Sequence, residues 1–136
     1  MKIGFIGTGQ ITKAVVIGII SSKLKINKIY ISERNKKISK NLRSISKKII
    51  IIKNNQEIID KSNWVFLAVT PKIGRKILSN YTYKSNQIIV SFISTIKMKQ
   101  LKKIIKVKAK IIRAIPLPPI SLRKGPVPMF PPNANE

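Results

Sequence analysis

Six short apolar runs punctuate this chain, at residues 2–7, 28–32, 49–53, 64–69, 87–92 and 110–115, and the first five each lead into a segment of helical spacing. No other feature restricts the fold as strongly. The runs are apolar along their whole length, as strands buried on both faces must be, and each is too short to span a membrane. Between them the period changes. Ile11, Ala14, Val15, Gly18 and Ile19 share one helical face over residues 10–23, and Ile38, Leu42 and Ile45 do so over 35–47. Asn54 or Asn55 can cap a brief helix reaching residue 60. Pro71 suits a first helical turn ahead of Ile73, Ile77 and Leu78, while Met98, Leu101 and Ile105 line a helix over 96–105. Strand–helix alternation of this kind predicts an α/β fold, with a mainly parallel sheet and helices on both faces.

The first strand-to-helix junction reads Gly4-Phe5-Ile6-Gly7-Thr8-Gly9-Gln10-Ile11-Thr12. Gly7 permits a tight turn. Gly9 leaves room for a pyrophosphate beside a helix amino terminus, where free N–H groups and the helix dipole favour anions. The third position of this dinucleotide fingerprint, usually Gly or Ala, is Thr12, whose bulk predicts slightly wider helix–strand packing. The second strand ends about 20 residues later at Ser32-Glu33-Arg34, the place where such folds hold the adenosine ribose. This spacing predicts a Rossmann-type, doubly wound domain over residues 1–115. Glu33 suits ribose hydroxyls and hence NAD. Arg34 with Ser32, joined by Lys36 and Lys37, suits a 2′-phosphate and hence NADP. The positive surroundings favour NADP.

Composition narrows the chemistry. The 136 residues carry 28 Lys+Arg against 4 Asp+Glu, a net charge of +24, with no His and no Cys. Imidazole- or thiolate-based catalysis and metal sites of those ligands are therefore excluded, and no metal site is expected. The carboxylates Glu33, Glu57, Asp60 and Glu136 form no matched acid/base pair. A cofactor must then carry the chemistry. The charge also admits another function class, a basic α/β module for nucleic acid or another polyanion. Against it, 23 Lys, 29 Ile and 10 Asn are residue types that have A/U-only codons, so an AT-rich genome would inflate all three, and the lysines are interspersed rather than clustered. Nonspecific nucleic-acid affinity is the expectation from charge alone. With no apolar stretch of membrane length and no cleavage pattern, the expected location is cytoplasmic, with no membrane contact. Seven of the eight prolines lie in residues 116–136, which read as a Pro-rich extended carboxyl-terminal segment unfit for central strands.

Lys2-Ile-Gly-Phe-Ile-Gly-Thr-Gly9, Val65-Phe-Leu-Ala-Val-Thr-Pro71 and Ile112-Arg-Ala-Ile-Pro116 occur in order, with Gly18 in the first helix and Ser91 ending the fifth strand. Together they resemble the amino-terminal dinucleotide-binding domain of the pyrroline-5-carboxylate reductases, over nearly the whole chain. The resemblance implies that Gly7, Thr8, Gly9, Gln10 and Ile11 hold the pyrophosphate and that Ala68, Val69, Thr70 and Pro71 flank the nicotinamide half. It also implies hydride transfer from NAD(P)H to a small cyclic imine, as in proline biosynthesis, with positioning and water exclusion as the protein's part. Thr70 stands where the family usually has Lys, and Ile115-Pro-Leu-Pro-Pro119 replaces Met-Pro-Asn-Thr-Pro, which removes two polar groups near the nicotinamide. The family's helical dimerisation and substrate domain is expected to be absent, so the imine partner requires a complementary domain, and a catalytically inactive remnant is an alternative.

Overall fold

The structure is a computed structural model and describes residues 1–131. Pro132 and Glu136, within the proline-rich stretch, lie outside the described residues. In chain order the elements are β1 (Lys2–Ile6), α1 (Gln10–Ile20), β2 (Lys28–Ser32), α2 (Lys36–Ile45), β3 (Ile49–Ile52), α3 (Asn55–Lys61), β4 (Trp64–Leu67), α4 (Pro71–Ile77), β5 (Ile88–Ser91), α5 (Met98–Ile105), β6 (Lys110–Ala114) and β7 (Met129–Phe130). They form one seven-stranded sheet in the order β3-β2-β1-β4-β5-β6-β7, parallel except where β7 joins β6. This is the strand order of a doubly wound Rossmann-type fold.

Local chemistry explains the boundaries. Asn35 caps α2, its side-chain carbonyl accepting the Ile38 N–H (3.1 Å), and Asn54 caps α3 by accepting the Gln56 N–H (2.8 Å). Pro71 opens α4, where its missing N–H costs nothing. Most elements are one to three residues shorter than their apolar patterns suggest. The fourth strand, for example, stops at Leu67, so that Ala68 and Val69 belong to the loop at the sheet's carboxyl edge.

Two cores sandwich the sheet. Val15, Val16, Ile38 and Leu42 of α1 and α2 cover Ile3, Phe5, Ile29, Ile31 and Ile49 on one face. On the other, Ile58, Ile59, Leu78, Leu101 and Ile105 cover Ile6, Val65, Leu67, Ile89 and Ile111. The buried Gln87 side chain is satisfied: it donates to the carbonyls of Ile59 (2.6 Å) and Ser62 (2.9 Å) and accepts the Lys84 N–H (2.9 Å).

The segment after residue 115 is not simply extended. Its prolines do keep it out of the central strands, but Pro118–Leu122 form a short 3-10 helix against α1, and Met129 and Phe130 make the antiparallel edge strand. Gly18 makes the first contact feasible, since a Cβ there would lie 2.4 Å from the Ile120 carbonyl oxygen. Val127 packs on Val90, Ile112 and Ala114. Among the described residues, no helix is long and apolar enough to cross a membrane.

Candidate functional site

β1 sits between β2 and β4, and the chain leaves β1 and β4 toward opposite faces of the sheet, into α1 on one and α4 on the other. Open sheets of this kind have a crevice at the carboxyl ends of such strands. The Gly7-Thr8-Gly9 turn forms its floor. Gly7 adopts φ +100°, a left-handed conformation that favours glycine, and a Cβ there would stand 2.5 Å from the Ala68 carbonyl oxygen. The turn is thereby pressed against the end of β4.

A set of buried hydroxyls ties the turn to β2. The Gly7 N–H donates to Ser32 Oγ (3.2 Å), and the Thr8 hydroxyl donates to the Ser32 carbonyl (2.7 Å). Ser32 Oγ and Thr8 Oγ1 lie 2.9 Å apart, and with the Thr8 proton already committed the Ser32 hydroxyl donates across that gap. Thr12, fully buried, donates its hydroxyl to the Gly7 carbonyl at 2.8 Å. The third fingerprint position thus serves as a brace for the turn as well as a packing contact.

Above the turn lies a cleft of about 540 Å³ lined by Gly7, Thr8, Gly9, Arg34, Asn35, Lys36, Ala68, Val69, Thr70 and Ile73. Gly9 precedes α1 in extended backbone (φ −100°, ψ −168°), no side chain caps the helix, and its first turn holds no acidic residue. The first N–H groups of this 11-residue helix are therefore free to meet an anion. A Cβ built on Gly9 meets nothing within 4 Å, so the space above the turn is open. A second pocket of about 270 Å³ shares Gly7, Arg34 and Val69 with the first and adds Ser32, Glu33, Lys53, Asn55 and Ile77. The two make one crevice along the carboxyl edge from β4 to β3, with Arg34, Lys36 and Lys53 set against the single carboxylate of Glu33. Free helix N–H groups, open space over the turn and excess positive charge fit the pyrophosphate of a dinucleotide.

The structure gathers most of the residues expected from the sequence. Gly7, Thr8, Gly9, Ala68, Val69 and Thr70 line the larger cleft, Ser32 and Glu33 the smaller pocket, and Arg34 both. Gln10, Ile11 and Pro71 line neither; Gln10 and Pro71 are the first residues of α1 and α4, and Ile11 follows Gln10. Ser32 needs correcting as a phosphate ligand. It is 4% exposed, and its hydroxyl is held by Gly7 and Thr8 rather than turned outward. Lys36 lines the larger cleft, whereas Lys37 reaches neither pocket. Asn35, Lys53, Asn55, Ile73 and Ile77 line the crevice although the sequence pattern marked none of them as a site residue. Lys53 could have been found from parallel register, because the residue after β3 must emerge beside the residue after β2.

Comparison with known proteins agrees with this geometry. Residues 2–95 match the model of the family described as NADP oxidoreductase, coenzyme F420-dependent. Pyrroline-5-carboxylate reductase 3 of Danio rerio is 32% identical over 129 residues, covering 92% of this chain and 44% of that protein. The solved pyrroline-5-carboxylate reductase of Coxiella burnetii superposes with a TM-score of 0.80 at 21% identity, over 93% of this chain and 48% of the other. The Plasmodium falciparum pyrroline carboxylate reductase, solved with NADP bound, gives a TM-score of 0.78 at 23% identity, over 93% and 46%. The chain spans less than half the length of each of these proteins. The resemblance read from the motifs is therefore real and concerns the amino-terminal, nicotinamide-dinucleotide-binding half of such reductases.

Proposed function

Because the chain belongs, through residues 2–95, to the NADP oxidoreductase, coenzyme F420-dependent, family, we propose that it is the cofactor-binding half of a pyrroline-5-carboxylate reductase-like oxidoreductase and that its cofactor is NADP. The observation carrying this reading is the uncapped amino end of α1 beneath an open, cationic cleft floored by Gly7-Thr8-Gly9.

The reduced nicotinamide, when bound, supplies a hydride for a cyclic imine carbon. The chain's own residues bind and orient. The N–H groups at the head of α1 hold the pyrophosphate, and the Thr8–Ser32 hydroxyl pair keeps the turn that presents them from shifting. Ala68, Val69 and Ile73 give the nicotinamide side an apolar wall that excludes water, with Thr70 as its polar member. The larger cleft is lined by no histidine, cysteine or carboxylate, so proton delivery and the imine-binding surface come from elsewhere. The relatives run to more than twice the matched length, and we assign the imine pocket to a further domain complementary to this one.

Arg34 belongs to both pockets and is the residue best placed to favour a phosphorylated ribose. Fluorescence titration of the 136-residue chain with NADPH and NADH at physiological salt tests this reading. Saturable binding with NADPH the tighter ligand is expected. Equal affinities would remove the NADP assignment, and no saturable binding of either would remove the function.

A further inference from the structure

The smaller pocket holds a cation that the β2–α2 turn does not supply. Ser32 and Ile52 are register partners on β2 and β3, and the Glu33 N–H donates to the Ile52 carbonyl (3.2 Å). The next residues, Glu33 and Lys53, therefore leave the sheet side by side, and both line the pocket of about 270 Å³ together with Arg34. Neither cation is engaged by a carboxylate among the described residues. Among the described residues, the ion pair within 4.0 Å is Lys61–Glu57 at 2.8 Å, and it lies on the exposed face of α3. The pocket's other polar groups are committed or neutral. Ser32 is held by Gly7 and Thr8, and Asn55 donates its amide to the Tyr81 hydroxyl at 3.0 Å.

Charge decides what such a pocket takes. A ribose with a free 2′-hydroxyl needs an acceptor such as Glu33 and gains nothing from two cations. A 2′-phosphate carries close to two negative charges and would be repelled by Glu33 if Arg34 faced it alone. Lys53, emerging beside Glu33, offsets that carboxylate and leaves the pocket net positive. We infer that Lys53, at the carboxyl end of β3, is the second cation beside Arg34 in a subsite for the adenosine 2′-phosphate and sets the preference for the phosphorylated cofactor. The inference rests on the dinucleotide reading above.

The pair 2′,5′-ADP and 5′-AMP isolates the phosphate, since the two differ only at that group. Calorimetric titrations of the 136-residue chain at fixed ionic strength compare wild type with Lys53→Met, Lys53→Arg and the distant control Lys110→Met. Lys53 is exposed, so melting temperatures of the Lys53 variants should match wild type. Loss of one charge-assisted contact predicts about tenfold weaker 2′,5′-ADP binding by Lys53→Met, with 5′-AMP unchanged to within about twofold. Lys53→Arg retains the preference, and Lys110→Met changes neither ligand. Equal effects of Lys53→Met on both ligands, or no effect on either, overturn the role of Lys53 while leaving dinucleotide binding intact. Failure of wild type to bind either ligand overturns the dinucleotide reading, and this inference with it.

Discussion

Gly9→Trp separates binding from folding. Gly9 has extended backbone (φ −100°, ψ −168°) that any residue adopts, and a Cβ there meets no heavy atom within 4 Å. Neither strain nor clash opposes the change, so stability should move by no more than about 1 kcal/mol. The indole instead enters the cleft, where a pyrophosphate must approach to about 3 Å from the N–H groups of the turn. Losing two charge-assisted hydrogen bonds at roughly 1.5–3 kcal/mol each removes about 3–6 kcal/mol. NADPH affinity should then fall on the order of a hundredfold or more. Gly9→Ala, with a single methyl group, should fall between wild type and Gly9→Trp. Calorimetric titration gives the affinity, and a thermal melt gives the stability. A folded Gly9→Trp protein that binds NADPH within about threefold of wild type would refute the site, since the cofactor would then have to lie elsewhere.

Other substitutions act on the fold. Gly7→Ala forces a Cβ into left-handed backbone and to within 2.5 Å of the Ala68 carbonyl oxygen, so chemical denaturation should find it destabilised by about 2–4 kcal/mol. Gly18→Ala would bring a methyl 2.4 Å from the Ile120 carbonyl oxygen, pushing the 3-10 helix off α1; faster proteolysis around residues 116–122 with the rest of the domain intact is the expected readout. Gln87→Leu strands the Ser62 carbonyl and the Lys84 N–H and leaves the Ile59 carbonyl with the Ser62 N–H (3.2 Å) as its partner, a loss of roughly 2–4 kcal/mol in a denaturant melt. A melt unchanged by that substitution would mean that this buried polar cluster contributes nothing net.

What could be read from the sequence follows from how far each signal reaches. The parallel sheet was legible because whole runs such as Ile49–Ile52 are apolar on both faces, and the phosphate turn because Gly7 and Gly9 sit at a junction that β1 and α1 define locally. Side-chain direction was not legible. Ser32 has the right chemistry for a phosphate ligand, but its hydroxyl points back into the turn, held by groups 24 and 25 residues away. Lys53 reads as one lysine among 23 until the β2–β3 register sets it beside Glu33. The proline-rich stretch was misleading in a similar way. Its prolines do keep it out of the central strands, but its packing depends on Gly18, about a hundred residues earlier, where the absence of a side chain admits the Ile120 backbone.

Amide chemical shifts during an NADPH titration test the central claim most directly, because they separate a built site from attraction to a chain of net charge +24. If the cleft over α1 binds the cofactor, the amides of Thr8, Gly9, Gln10 and Ile11 shift saturably, the Val69 and Thr70 amides follow, and the pattern survives at physiological salt. Shifts spread over lysine-rich positions such as Lys2, Lys28 and Lys110, vanishing as salt is raised while the Gly7–Gly9 turn stays unmoved, would contradict it.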